Sequence, residues 1–386
     1  MEAMTDGCAD RIDVTELSEI TEFQQLAEAR MPDAVRINVQ CEDTGNALRA
    51  NVDAWGRWGL RPRVLVDVAG CDTATTVLGQ PVAMPVLIAP FTCSALCHAD
   101  GELASARASA SAGTIMTLSM GATRSPEDIG QAVDRFWMHL GATPDRGLMA
   151  EVVQRAAAAG ATALCLTVDL PVFPWWPKVM IDGLAALELN SFVVGDTRTL
   201  WDKSAARGAG ADNGGDSGRV PRSLKAYRNS FTWADLEWLR ELSPLPLVLK
   251  GIQSGEDARR AVEHGAAGVV VSNHGGHALD QALATADTLP EVVAAVADRI
   301  EVLVDGGIRS GADVLRALAL GARAVMIGRP ALWGLTLGGA EGVSRVLSLL
   351  REELEILMAM CGAQRVTEIE RPMITPRCSC RHASDW

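Results

Sequence analysis

The sequence predicts a closed (β/α)8 barrel on three observations. From about Pro81 short apolar runs alternate with Ala-rich amphipathic stretches, the runs number eight, and four successive runs end at polar side chains next to glycine. Runs of Val, Ile, Leu and Ala between helical patterns mark buried parallel strands in βαβ units. Eight such units favour closure over an open doubly wound sheet, which makes the expected fold a TIM barrel. The 386 residues then form a single domain, because α/β barrels routinely exceed the ~150 residues of an ordinary one.

Residues 1–80 carry no run of the series and are expected to form helices outside the barrel. Their acidic start lacks the apolar segment of a secretory signal. The strands are placed at residues 85–89, 114–118, 135–140, 163–168, 245–250, 268–272, 302–305 and 324–327, with helices such as 254–264 and 310–320 between them. Residues 170–244 are far longer than an ordinary βα loop. Their Gly- and Asp-rich centre, residues 208–218, has no strand leading in and no helix leading out. A lid-like insertion over the C-terminal mouth is therefore expected, not a phosphate loop. Residues 372–386 are expected to be a frayed tail.

Hydrophobic residues make up 48% of the chain and the formal charge is −13. That composition supports a core and argues against nucleic-acid or anionic-membrane partners, whose phosphates need a basic face. No stretch approaches the ~20 apolar residues that span a bilayer. Nine scattered cysteines in a large chain suit reduced thiols in the cytoplasm. Cys93, Cys97 and His98 form one cluster, and Cys378, Cys380 and His382 another. Each lacks the second half of a four-ligand zinc site, so no metal is expected. The chain has ten Trp and six Phe but a single tyrosine, Tyr227.

The polar strand ends are Lys250, then Ser272-Asn273-His274-Gly275-Gly276, then Asp305-Gly306-Gly307-Ile308-Arg309, then Gly328-Arg329. In a barrel these ends share one rim, so Lys250, His274 and Asp305 should converge. Gly306, Gly307 and Gly328 beside two arginines suggest a phosphate held at the loops after strands seven and eight. A His274–Asp305 pair reads as a general base and its orienting carboxylate. Lys250 reads as the cation beside an electron sink, carried by a phosphate-bearing cofactor. His98, His139 and His264 have no such setting and are read as structural.

Ser272-Asn-His-Gly-Gly276 and residues 303–314, Leu-Val-Asp-Gly-Gly-Ile-Arg-Ser-Gly-Ala-Asp-Val, resemble the FMN-dependent 2-hydroxy-acid oxidase and dehydrogenase family. Glycolate oxidase, lactate oxidase and mandelate dehydrogenase belong to it. The resemblance also covers Asp100-Gly-Glu-Leu-Ala104, residues 113–119 and Leu166-Thr-Val-Asp169, and extends from about residue 22 to 375. It implies FMN as cofactor, with Lys250 beside the flavin N1–C2 carbonyl. Ser119, Thr167 and Ser272 would contact the ring, and Pro90, Phe91 and Thr92 would run along it. Asp305, Gly307, Arg309, Gly328 and Arg329 would hold the ribityl chain and phosphate, with Asp305 also oriented toward His274. Met138 stands where the family has a glutamine. The family also implies a homo-oligomer, a tetramer or larger.

The substrate side departs from the family. Trp176 and His277 align with its two carboxylate-clamping arginines, and Asn38 and Leu140 with its two tyrosines. Removing one partner of a charge-assisted carboxylate pair costs ~2–5 kcal/mol. The expectation is therefore an FMN-dependent oxidoreductase acting on a hydroxyl- or amine-bearing carbon of a larger or uncharged molecule. Peptide-derived and natural-product intermediates fit, as in the family's mycofactocin-biosynthesis branch. The alternative is ordinary 2-hydroxy-acid oxidation with His277 and Arg36 replacing the arginines. A third reading is a catalytically idle flavin-binding partner protein.

Overall fold

Eight parallel strands close into a barrel in the computed structural model, which describes residues 12–40, 45–92, 94–142, 145–171, 190–191, 195–196 and 231–377. They are β1 (Val86–Ile88), β2 (Thr117–Leu118), β3 (Phe136–Gly141), β4 (Ala161–Thr167), β5 (Leu247–Ile252), β6 (Gly268–Val271), β7 (Glu301–Val304) and β8 (Ala324–Ile327). Consecutive strands pair from β2 through β8, and β8 returns to β1 in the register Val325↔Val86 to Ile327↔Ile88. The seam between β1 and β2 is closed by Ile88 N–H donating to the Ile115 carbonyl at 3.0 Å and by a bridge from Ile88 to Met116.

Side chains alternate along each strand, so one set fills the barrel and the other faces the helices. Leu87, Trp137, Ala163, Val248, Val270 and Leu303 form the inner cluster. Met138, Leu140, Leu166, Leu249, Val269 and Val304 belong to the outer one. The helices are α1 (Ile20–Arg30), α2 (Asp33–Gln40), α3 (Asn46–Trp55), α4 (Glu102–Ser111), α5 (Pro126–Ala132), α6 (Arg146–Ala158), α7 (Asp235–Glu241), α8 (Gly255–Glu263), α9 (Thr285–Val296), α10 (Gly311–Ala319) and α11 (Arg329–Cys361). Ser254 and Ser310 cap α8 and α10 as their positions suggest, each hydroxyl accepting a backbone N–H of the first turn.

Three elements differ from expectation. Residues 1–80 are not helical throughout: Thr75–Val77 and Gln80–Val82 form a hairpin whose Val77, Leu78 and Val82 pack against the inner cluster and stopper the barrel's lower end. The tail is docked through residue 377, because Ile374–Pro376 pairs antiparallel with Trp58–Leu60; residues 378–386 lie outside the described residues. Helix α7, the fourth barrel helix, falls within 170–244. The proposed lid segment, with Trp176 and Tyr227, lies outside the described residues. Among the described residues no helix is long and apolar enough to cross a membrane.

Candidate active site

The inward alternation that buries Val248, Val270 and Leu303 puts Lys250, Ser272 and Asp305 one layer higher, at the C-terminal rim. Lys250 is 3% exposed. Its Nζ lies 3.1 Å from Asp305 Oδ2 and donates to Ser272 Oγ at 3.0 Å. Burial opposes the ammonium, but the Asp305 and Asp169 carboxylates outweigh it and the Lys250 pKa lies above its ordinary value. The rim therefore carries a fixed cation.

His274 opens the turn His274–Gly276 with φ +58°, a left-handed conformation that costs a non-glycine residue energy and is held only by its surroundings. Gly276, at φ +91°, backs onto α3, where an added Cβ would lie 2.8 Å from Leu48 N. Ser272 Oγ accepts the His274 N–H at 3.1 Å. The imidazole Nδ1 lies 3.0 Å from Asp169 Oδ1. Burial pushes the Asp169 carboxyl up, yet the His274 hydrogen bond and charge outweigh burial and its pKa is lowered.

The orienting carboxylate is thus Asp169, not Asp305 as expected. Asp305 is captured by the Lys250 ammonium across β6, and no hydrogen bond or ion pair joins it to His274. A signal for Asp169 was present in the sequence. It lies two residues past inward-facing Thr167, in the Thr-Val-Asp motif that ends β4.

A second correction concerns β3. Met138 and Leu140, expected beside flavin and substrate, are fully buried in the outer cluster between barrel and helices. The inward positions are Trp137, His139 and Gly141, since a one-residue slip in a strand exchanges its faces. His139, read above as structural, accepts the Met120 N–H on Nδ1 at 3.3 Å, so its Nε2–H donates to Thr167 Oγ1 at 2.9 Å. At Gly141 an added Cβ would meet nothing within 4 Å, so the strand mouth is open there.

Burial, with Lys250 and His274 adding to it, pushes the His139 pKa from 6.5 to about 3. The unfolded chain binds a proton below pH 6.5 that the folded chain refuses until about pH 3. Stability from this residue is therefore complete above pH 6.5 and is lost as pH falls. Between pH 7 and 5 the loss is about 2 kcal/mol. In urea unfolding, a His139→Gln variant should lose that much less than the parent over this interval. An unchanged pH dependence would refute the assignment.

The residues fit FMN. Asp305 Oδ1 is a buried acceptor with no partner, suited to a ribityl hydroxyl. Burial and the neighbouring Arg329 push the Arg309 guanidinium down to about 9, a repulsion that a phosphate would relieve. Thr92 Oγ1 and Ser119 Oγ lie 3.4 Å apart, and Ser119 accepts the Gly121 N–H at 3.1 Å. Gly328 brings backbone against the Phe91 ring, where a Cβ would be 3.1 Å away, with Pro90 adjoining. Gly307 also has a packing reason: at φ +80° an added Cβ would clash with the Asn51 carbonyl of α3. The glycines after β7 thus answer to the helix that holds the rim, through the buried reciprocal Asn51–Asn273 amide pair at 2.8 and 2.9 Å.

Of the expected substrate positions, His277 reaches the site, with Nε2 3.2 Å from Arg329 Nη2. Asn38 lies on α2, and its side chain is outside the described residues. Arg36 is paired with Asp33 at 2.6 Å on the surface.

A His274–Asp169 pair, a buried ammonium and two neighbouring arginines at the mouth of one barrel are groups that suit a flavin-dependent oxidoreductase. The chain belongs to the FMN-dependent dehydrogenase family, which it matches over residues 27–376. It is 45% identical to an L-lactate oxidase of Nostoc sp. over 357 residues, covering 90% of this chain and 95% of the relative. To human 2-hydroxyacid oxidase 1 it is 40% identical over 364 residues, covering 92% and 95%. A crystal structure of mandelate oxidase matches with a TM-score of 0.80 at 35% identity, covering 94% of this chain and 98% of that one. An arginine-to-leucine variant of mandelate oxidase with 2-hydroxy-phenylacetamide matches at 0.77 and 34% identity, covering 94% and 99%. The protein is an FMN-dependent oxidoreductase of the 2-hydroxy-acid oxidase type.

Proposed function

We propose that the chain oxidises the hydroxyl-bearing carbon of a small 2-hydroxy acid to the 2-keto acid. The observation that carries this reading is the His274–Asp169 pair at 3.0 Å, set beside the Lys250–Asp305 pair at 3.1 Å. Bound FMN supplies the two-electron acceptor. Asp169 accepts from His274 Nδ1–H, which leaves the lone pair on Nε2 to take the hydroxyl proton. The ionised Asp169 then stabilises the imidazolium. Lys250 holds positive charge at the inner layer, where the residues fit the flavin ring.

The relatives favour the alternative substrate over the expected one. Lactate, glycolate and 2-hydroxy-acid oxidases at 39–45% identity support a small 2-hydroxy acid over a peptide-derived or natural-product intermediate. The retained base pair argues against an idle flavin protein. The proposal also keeps the chain in the cytoplasm as a homo-oligomer of four or more subunits. Free thiols at Cys71, Cys97, Cys165 and Cys361 suit a reducing compartment. Exposed Val64, Leu65, Ile356 and Met360 suit burial between subunits.

The test is product analysis with FMN-loaded protein, an electron acceptor and (S)-mandelate, L-lactate or glycolate. The matching 2-keto acid should form at ~1–10³ per second, the usual enzymatic range. FMN-loaded protein that makes no keto acid from any of them would refute the reading.

A further inference from the structure

We infer that Asn51, on helix α3 ahead of the barrel, is a positioning residue for His274: its amide locks Asn273 and so holds the turn that aims the imidazole at Asp169. The inference rests on the oxidation proposed above, in which His274 takes the proton.

The turn needs holding. His274, at φ +58°, follows Asn273 at φ −116° and ψ 28°, so a left-handed residue succeeds one in the bridge region. The His274 side chain is 30% exposed, so packing around the ring does not fix it. Its 3.0 Å approach to Asp169 therefore depends on the backbone beneath. On the barrel side that backbone is held by Ser272 Oγ, which accepts the His274 N–H at 3.1 Å.

On the other side it is held by α3. Asn51 Nδ2 donates to Asn273 Oδ1 at 2.8 Å, and Asn273 Nδ2 donates back to Asn51 Oδ1 at 2.9 Å. Backbone groups, whose roles cannot exchange, fix the orientation of both amides. The Thr285 N–H donates to Asn51 Oδ1 at 3.2 Å, and Asn273 Nδ2 donates to the Leu283 carbonyl at 3.0 Å. Both asparagines are 0% exposed, so solvent does not compete for these bonds. The same helix reaches the end of β7, where Trp55 Nε1 donates to the Gly306 carbonyl at 2.9 Å. Thr285 Oγ1 donates to the Asp305 carbonyl beside it at 2.6 Å.

Stability alone does not call for such a pair. Apolar side chains of the same shape can replace two bonded polar groups almost neutrally, whereas a buried amide pair carries direction. Asn273 is left one orientation, and the next residue carries the base.

The test uses FMN-loaded native protein with Asn51→Ala and Asn51→Ser variants. One arm measures anaerobic flavin reduction by L-lactate or (S)-mandelate. The other follows the NMR signal of the His274 Nδ1–H, assigned by its loss in His274→Asn, and needs no substrate. The maximal reduction rate should fall about a hundredfold, the usual cost of misplacing a reacting group by about 1 Å. Half-saturating substrate and FMN affinity should move less than about threefold, because the loss lies in the reacting geometry. The Nδ1–H signal should shift or broaden in the same variants. A native rate, a loss in KM alone, or a slowed variant with an unmoved signal overturns the inference. If neither variant folds and holds FMN, Asn51 belongs to the fold and the inference falls. A native flavin that no 2-hydroxy acid bleaches would defeat the oxidation reading, while the Nδ1–H signal still decides whether Asn51 sets the His274–Asp169 bond.

Discussion

Replacing His274 by asparagine is expected to slow reduction of the bound flavin by substrate about 10²–10⁴-fold, the range a general base contributes. Asparagine is the right replacement because position 274 has φ +58°, which asparagine tolerates far better than alanine. The fold and the FMN site should persist while the base is gone. Asp169→Asn should recover a large part of the same loss with His274 intact. Its amide can donate to Nδ1 and turn the tautomer, and it cannot stabilise an imidazolium. A native reduction rate in either variant would mean that another group takes the proton.

Removing the ammonium of Lys250 should do the greatest harm to the folded chain. Lys250→Met leaves the Asp305 carboxylate, 7% exposed and already short of one partner, without its cation. Breaking one side of a buried pair costs about 3–5 kcal/mol. Urea unfolding should register that loss, and FMN retention on gel filtration should fall with it. Adding Asp305→Leu should restore much of the stability by removing the stranded charge, yet should not restore FMN. A single variant as stable as the parent would show that the pair is not buried as described.

Much of this was legible in the sequence because it follows from local pattern. Val-Leu-Val-Asp305-Gly-Gly and its three companion strand ends announce both the strands and their rim. The inward layer that brings Lys250, Ser272 and Asp305 together follows from alternation alone. What failed depended on tertiary reach. Asp169 and Asp305 both follow strands, and only the capture of Asp305 by the Lys250 ammonium decides which carboxylate serves the imidazole. In β3 the run Phe136-Trp-Met-His-Leu-Gly141 alternates weakly in polarity, so Met138 and Leu140 were assigned the face that His139 and Gly141 hold. The Arg329–His277 contact joins residues 52 apart, and no spacing rule fixes which of the two ring nitrogens it engages. Gly307 was read for a phosphate alone, and its further reason, the close approach of Asn51, lies in a helix from the other end of the chain.

The proposed catalysis turns on one event, the transfer of a proton to His274 as a 2-hydroxy acid gives up two electrons. Anaerobic mixing of the FMN-loaded protein with (S)-mandelate or L-lactate, followed by flavin absorbance, observes it in a single turnover. Bleaching by at least one of them should be fast and saturable in the native protein and all but absent in His274→Asn. A flavin that stays oxidised with every 2-hydroxy acid, or that bleaches as fast without His274, would contradict the account.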